Sequence, residues 1–219
     1  DWEGGEGKVS GQYVYSLTEL AKQDISNGAF GSAIGRLNEA QRFPHNLGEG
    51  KLYGTQENDL FYWIGCAYAG LGDSVNAEFN WKAASRGLSE PSAAVFYNDQ
   101  QPDKIFYQGL AWEKMGELSQ AEYIFHNLVE YGERHQGNAV QIDYFAVSLP
   151  DLLIFDDDLQ KRNVLHCKYI SGLGYLGLKK YDKAENILKE VLLEDAMHFG
   201  AKIHLELSAY LQNSDELNQ

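Results

Sequence analysis

Six histidines are the residues of this 219-residue chain whose chemistry first suggests a metal site: His45, His126, His135, His166, His198 and His204. Histidine is the commonest metal ligand in proteins. Two groupings are close in sequence, with His166 beside Cys167 and His198 six residues before His204. Adjacent helical residues diverge by about 100°, and residues six apart face different sides, unlike an i, i+4 pair. The spacing therefore predicts no metal site, and nothing in the sequence calls for a cofactor.

Three other motifs have a simpler structural interpretation. The acidic run Asp156–Asp158 lacks the alternating ligands and glycine of a calcium loop, and its place before LQKRNVLHCKYI favours a helix N-cap. The segment GLGYLG at 172–177 follows no strand, so a dinucleotide-binding loop is not expected. No GxSxG motif occurs, and Ser148 has no neighbouring base. We therefore predict no catalytic residue and a non-enzymatic chain.

Charge and composition exclude several classes of partner. The formal net charge is −14, with 32 acidic against 18 basic residues and a sequence pI near 4.8. Such a surface repels phosphate backbones and anionic lipid, so neither nucleic acid nor a membrane is an expected partner. Cys66 and Cys167 lie far apart without CxxC spacing, which is typical of a reduced, cytoplasmic protein. A hydrophobic content of 44% is ample for a core.

The beginning of the chain points to a larger parent protein. It starts with the Gly-rich stretch DWEGGEGK and has no initiator Met. We expect residues 1–12 to be a linker or the remnant of a cloning boundary in a piece cut from a longer chain. A targeting signal of the parent is therefore not observable in this sequence.

An internal repeat predicts the elements that position these residues. The segment from Phe61, FYWIGCAYAGLGDSVNAEFNWKAAS, has the spacing of a helix, a tight turn and a second helix. Glycine at 65 allows the helices to approach, glycine at 72 tolerates the turn, and alanine at 77 fits their crossing. Similar segments start near Leu17, Ile105 and Tyr169, with Lys179 at the turn position of the last one. The crossing alanines are Ala33, Ala77, Ala121 and Ala184.

The periods of 44, 44 and 63 residues between these alanines imply an insertion at each junction. We expect one solenoid over residues 13–212, with repeats at 14–44, 58–90, 102–134 and 165–196, an end helix at 198–212 and a frayed tail at 213–219. The last insertion, within 129–163, contains Tyr144, Phe145, Pro150 and Phe155. These residues suit a hydrophobic plug, or else a lip over a binding groove.

The four copies resemble the tetratricopeptide repeat family, which implies an all-α, right-handed superhelix of helix pairs. More narrowly, FPHNLGEGK, DKIFYQGLAWEKMGE and IDYFAVSLPDLLIFDDDL resemble the C-terminal tetratricopeptide region of large bacterial proteins. Those proteins carry an N-terminal domain of unknown function thought to be β-sandwich rich and carbohydrate-linked. The resemblance implies a module of a multidomain bacterial protein that is not secreted or is associated with the envelope. It transfers no catalytic residue.

In tetratricopeptide solenoids the first helix of each pair lines a concave groove. Carried over by repeat position, the candidate groove residues are Tyr15, Lys22, Asp59, Tyr62, Asp103, Phe106, Glu113, His166 and Tyr169. Clamps for acidic peptide tails need several cations, and Lys22 is the only one here. A neutral or basic peptide, or a sugar stacked on Tyr62, Phe106 or Tyr169, suits this wall better. Equally, these aromatic rings could pack against neighbouring helices.

These observations favour a non-catalytic interaction or scaffold module, whose partner is a protein segment or another domain of its own chain. Two alternatives remain open from the sequence. The first is an accessory region of a carbohydrate-active protein, contacting glycan or the adjacent domain. The second is a self-association module that forms a homo-oligomer through an exposed end or groove.

Overall fold

A computed structural model describes residues 8–48, 50–51, 53–93, 100–139 and 159–217. Every regular element within those ranges is helical, so the expected all-α class is confirmed. The helices are α1 (Lys8–Ser26), α2 (Phe30–Ala40), α3 (Asn58–Gly70), α4 (Ser74–Ala84), α5 (Pro102–Lys114), α6 (Leu118–His135), α7 (Leu159–Gly177), α8 (Tyr181–Glu194) and α9 (Phe199–Leu217). A 3-10 turn, His45–Leu47, lies between α2 and α3. None of the described helices is both long and apolar enough to cross a membrane.

The same tight turn joins α1 to α2, α3 to α4, α5 to α6, and α7 to α8. In each turn one residue has a left-handed backbone, with φ of 73° at Gly28, 78° at Gly72, 84° at Gly116 and 58° at Lys179. The following N–H donates to the carbonyl five residues earlier, for example Asp73 to Tyr68 at 3.0 Å and Lys180 to Tyr175 at 2.9 Å. This bond closes the first helix of the pair. The predicted turn positions are therefore the observed ones.

Lys179 is the one left-handed residue of the four turns that is not a glycine. A non-glycine residue in the left-handed region costs roughly 1–2 kcal/mol because its Cβ crowds the backbone. Its N–H nevertheless donates to the carbonyl of Leu176 at 3.0 Å, as Gly72 does to Ala69 at 2.9 Å. The turn between α7 and α8 is thus held by its hydrogen bonds and the packing of the two helices.

Small residues bring the two helices of a pair together. A Cβ on Gly65 would lie 2.5 Å from the Trp81 indole and 3.1 Å from the carbonyl oxygen of Ala77. The four crossing alanines are all buried. A larger side chain at either position would force α3 and α4 apart. The predicted roles of Gly65 and Ala77 are therefore confirmed.

The chain divides into two compact units, Asp1–Ser89 with Tyr107–Ala121, and Glu90–Phe106 with Glu122–Gln219. In the first unit, α1 packs on α2, α3 on α4, and α2 on α3. In the second unit, α7 packs on α8 and α8 on α9. Helices α5 and α6 each contribute residues to both units.

Two helix bounds differ from the sequence expectations. Helix α1 begins at Lys8, inside the stretch 1–12 assigned to a linker, and Ser10 within it is buried. Helix α9 continues to Leu217, through part of the tail predicted to fray. Residues 140–158, with the proposed plug and the Asp156–Asp158 cap, lie outside the described residues; α7 begins directly after them at Leu159.

Gly65→Ala should lower the free energy of unfolding by about 1–3 kcal/mol, because its Cβ would overlap the Trp81 indole. Gly35→Ala in α2 is the matched control. Nothing lies within 4 Å of its added Cβ, so it should raise the free energy of unfolding by about 0.5–1 kcal/mol. Urea unfolding of both variants measures the two changes, and equal shifts would contradict the close approach.

Candidate functional site

In the first unit, Tyr62 and Trp63 of α3 and Tyr107 of α5 form an aromatic seam, and Lys22 of α1 lies beside it. The Tyr62 ring centroid lies 5.1 Å from Trp63 and 5.5 Å from Tyr107. The Lys22 ammonium from α1 lies 5.6 Å from the Trp63 ring centroid. Helices α1, α3 and α5 are thus brought together at the predicted candidates Lys22 and Tyr62.

The seam is buried, as expected if these aromatic rings pack against neighbouring helices rather than contact a ligand. Tyr62 is 3% exposed, and Trp63 and Tyr107 are buried with it. Burial raises the pKa of Tyr62 well above its ordinary value, with smaller contributions from Cys66, Tyr107 and Glu113. The phenol therefore stays neutral across the physiological range. A ligand could stack on this ring only after neighbouring side chains move.

The accessible part of the first unit's candidate surface is polar. Tyr15, Lys22, Asp59 and Glu113 are each partly exposed. The Lys22 ammonium lies 2.7 Å from a carboxylate oxygen of Glu19 on the same helix, so its charge is largely compensated. The accessible side chains of this face therefore carry mainly negative charge.

In the second unit, the candidates Phe106 and Tyr169 lie under α9. Phe106 is fully buried, 5.9 Å from the Phe125 ring and 5.4 Å from the His204 ring. Tyr169 is 6% exposed, and its hydroxyl oxygen lies 3.1 Å from Nδ1 of His204. Asp103 is partly exposed, 3.5 Å from the Lys104 ammonium. The aromatic candidates of this unit are therefore covered by the end helix.

His198 and His204 approach the same tyrosine, which the sequence spacing did not predict. The Tyr169 ring centroid lies 4.8 Å from the His198 ring and 5.8 Å from the His204 ring. The rule that residues six apart face different sides applies inside a helix, whereas His198 precedes Phe199, the first residue of α9. Nδ1 of His204 lies 2.8 Å from the Gly200 carbonyl, so this nitrogen carries a proton.

His166 and Cys167 have separate structural roles. Nε2 of His166 donates to the Ser92 carbonyl at 2.8 Å. Burial lowers the pKa of His166, the Ser92 hydrogen bond raises it, and the nearby Arg162 lowers it. The Cys167 thiol donates to Oδ1 of Asn163 at 3.7 Å, and burial raises its pKa to about 11. A protonated thiol turned toward an amide is a poor nucleophile.

The glycines of GLGYLG serve helix packing. The segment lies inside α7, where a Cβ on Gly174 would come 2.7 Å from the Phe125 carbonyl oxygen and the Val129 side chain. Gly177 would place its Cβ against the Phe125 ring. Close contact between α6 and α7 thus explains these glycines. Among the described residues, no three His, Cys, Asp or Glu side chains are grouped to hold a metal ion.

A basic depression lies beside the turn between α7 and α8. It has a volume of about 410 Å³ and is lined by Lys179, Lys180, Tyr181, Asp182, Lys183 and Gln212. The Lys183 ammonium lies 2.5 Å from the Tyr175 hydroxyl, which donates to Glu133. Lys180 lies 5.7 Å from the Tyr175 ring. Two of the three lysines are thus held by one tyrosine.

An apolar stripe lies on the exposed side of the pair α3 and α4. Leu71, which follows the last residue of α3, is 55% exposed, and Val75 and Phe79 on α4 are 77% and 69% exposed. On the opposite face of α4, Ala77, Asn80 and Ala84 are buried. We call Leu71, Val75 and Phe79 the α4 stripe.

Sequence reasoning missed Trp63, Tyr107 and the histidines around Tyr169. Trp63 and Tyr107 each follow a candidate by one residue, so the aromatic pairs YW at 62–63 and FY at 106–107 were a usable signal. His198 gave a weaker signal, because recognising it as a helix N-cap requires the start of α9. No protein-family model matches this chain, and no solved structure matches it. Family membership therefore remains a prediction from the repeat.

In the folded chain, Cys167 should react with an aromatic disulfide reagent at pH 8 about ten times more slowly than an ordinary thiol, because a hundredfold lower thiolate fraction is partly offset by the higher nucleophilicity of a more basic thiolate. A pKa of about 11 leaves about 0.1% thiolate, against about 10% at a pKa near 9. Cys66 is the second of the two cysteines, and burial raises its pKa as well. The Cys66→Ser variant therefore leaves Cys167 as the single thiol that can react. The matched control is the same variant in denaturant, which should react at the ordinary rate. Equal rates would contradict the buried thiol.

Proposed function

We propose that this chain is a non-catalytic interaction module of the tetratricopeptide type, a solenoid that binds a protein segment or another domain of its parent. The observation that carries the proposal is the fourfold recurrence of one helix pair with one turn. A recurring pair presents equivalent positions of its first helix in a row, which is how repeat proteins build extended binding surfaces. Lys22, Asp59, Tyr62 and Glu113 occupy such positions on α1, α3 and α5.

The state of the titratable side chains supports a binding role. His166 holds the Ser92 carbonyl, His198 accepts the Ala201 N–H, and Cys167 is a buried, protonated thiol. Each of these groups stabilises a helix or a helix contact. Their hydrogen bonds are those expected of structural side chains rather than of an activated nucleophile with its base.

The charge of the accessible surface indicates what the module binds. Asp59 and Glu113 are partly exposed on first helices, and the whole chain carries a net charge of −14. This surface would repel acidic peptides. Basic peptides would associate faster, and their cationic side chains would pair with the Asp59 and Glu113 carboxylates. We therefore assign a neutral or basic peptide segment to this surface.

Glu113→Gln should weaken binding of a basic peptide selected from a display library by about twofold to fivefold, since it removes one partly exposed charge pair. Glu78→Gln is the matched control. It removes a carboxylate from the second helix α4, where Glu78 pairs with Lys82 at 2.6 Å, and should leave affinity unchanged. Fluorescence anisotropy at two salt concentrations measures both effects, and the affinity should fall as salt rises.

Two results would contradict the assignment to first helices. One is a selected peptide whose affinity responds to Glu78→Gln and not to Glu113→Gln. The other is a library that yields only acidic peptides.

The α4 stripe favours self-association as a second candidate function. Exposed apolar side chains grouped on a surface commonly mark contact sites, and a twofold contact would pair the stripe with itself. Two large apolar side chains on one short helix, with a third at the end of the preceding helix, suit a weak, concentration-dependent dimer better than an obligate one.

Phe79→Ser should shift such an equilibrium toward monomer, because it removes the largest apolar side chain of the stripe. Leu88→Ser is the matched control, since Leu88 is exposed to a similar degree and lies outside the stripe. Light scattering across a hundredfold range of concentration gives the mass of each variant. A wild-type chain that stays monomeric throughout would exclude this function.

A further inference from the structure

His198 is the N-cap residue of α9. Its carbonyl accepts the N–H of Lys202 at 3.2 Å, and its side-chain Nδ1 accepts the N–H of Ala201 at 3.1 Å. An N-cap side chain satisfies backbone donors that the first helical turn leaves without an intrahelical partner. Asp, Asn, Ser and Thr are the usual N-cap residues, and none of them gains a proton between pH 5 and 8. A histidine in this position makes the start of the helix sensitive to protons.

The accepting nitrogen defines the active form of the cap. Nδ1 can accept the Ala201 N–H only while it carries no proton, so the capped His198 is the neutral ring protonated at Nε2. Protonation at Nδ1 converts an acceptor into a donor that faces another donor. The same event places a positive charge at the N-terminal end of a helix, where the helix dipole is unfavourable to cations.

The groups around His198 come from three elements. From α7, the Tyr169 ring packs at 4.8 Å, and His166 contributes positive charge when it is protonated. In the turn before α9, Asp195 contributes a negative charge that favours the protonated ring; its carboxylate also accepts the Met197 N–H at 2.9 Å. From α9 itself, His204 contacts the other side of Tyr169, and its Nδ1 already donates to Gly200.

Burial is the largest of these effects and lowers the pKa of His198 below its ordinary 6.5, while Asp195 acts in the opposite direction. Burial also lowers the pKa of His166, whose Nε2 donates to Ser92. The unfolded chain therefore binds more protons than the folded chain just below pH 6.5. The stability that the two neutral rings contribute is fully present above about pH 6.5 and is lost as the pH falls below it.

We propose that His198 is a proton-released cap, which holds the first turn of α9 over Tyr169 at neutral pH and releases it in mild acid. Protonation of His166 adds repulsion in the same direction. The first turn of α9 carries Gly200, against which the Tyr169 hydroxyl packs, and the next turn carries His204, which covers Phe106. Release of this end therefore uncovers Tyr169 and then Phe106, the two buried aromatic side chains of the second unit's candidate surface. This inference concerns α9 and does not depend on the proposed binding function.

The test is amide hydrogen exchange of the whole 219-residue chain at pH 7.5 and 5.5, corrected for the intrinsic rate at each pH. Loss of an N-cap bond changes a local opening equilibrium by about fivefold to tenfold. Residues 201–204 of the wild-type chain should therefore lose about fivefold to tenfold in protection at pH 5.5. Amides of α3 should keep theirs, because α3 lies in the other unit.

Two substitutions isolate the cap. His198→Asn keeps a good N-cap acceptor that does not titrate in this range, so its protection at 201–204 should change by less than about twofold between the two pH values. His198→Leu has no acceptor, so its protection should be low at both. Loss of protection in His198→Asn equal to the wild type would overturn the proposal, as would wild-type protection that is the same at both pH values. A His198 ring that titrates at or above 6.5 by NMR would also overturn it.

Discussion

The close approach of two helices across a small residue is the constraint on which the rest of this structure depends. Gly65 lies so near the Trp81 indole and the Ala77 carbonyl that no side chain fits between α3 and α4. Buried alanines occupy the corresponding crossing point of the other pairs. Once the distance within a pair is fixed in this way, the turn must be short, which explains the left-handed residue at each of the four turns. Sequence, turn and packing thus impose one repeating geometry.

The same repetition explains why the helix pairs were predictable from the sequence. Where two helix backbones approach closely, only glycine or alanine fits, so these residues recur in the sequence at a fixed spacing. Lys179 lies at the position where the other three turns have glycine, and its φ of 58° is left-handed like theirs. The spacing of the repeat therefore predicts the turn even where the residue is not glycine. By contrast, the extent of α1 and α9 has no such signal. Helix ends depend on local capping and on how far the neighbouring helices extend, so Lys8 and Leu217 were missed.

The sequence named candidate positions, and the structure shows how those side chains pack. Repeat position assigned Lys22 of α1 and Tyr62 of α3 to one surface; in the structure Tyr62 lies against Tyr107 of α5, and Lys22 lies over Trp63. It could not give the coverage of each ring, because coverage depends on side chains outside the repeat pattern, such as Trp63 beside Tyr62 and His204 above Phe106. Aromatic side chains therefore hold adjacent helices together, and the carboxylates of Asp59 and Glu113 are partly exposed. The role of His198 depends on a helix boundary that the spacing of histidines does not contain.

The central proposal is that the first helices α1, α3 and α5 form the binding surface of the first unit. Backbone NMR of the 219-residue chain, titrated with a basic peptide to saturation, tests it most directly because every amide reports at once. The account predicts that the largest shifts fall on α1, α3 and the part of α5 that carries Glu113. Shifts confined to α2 and α4, or a basic peptide library from which nothing binds at millimolar concentration, would contradict it.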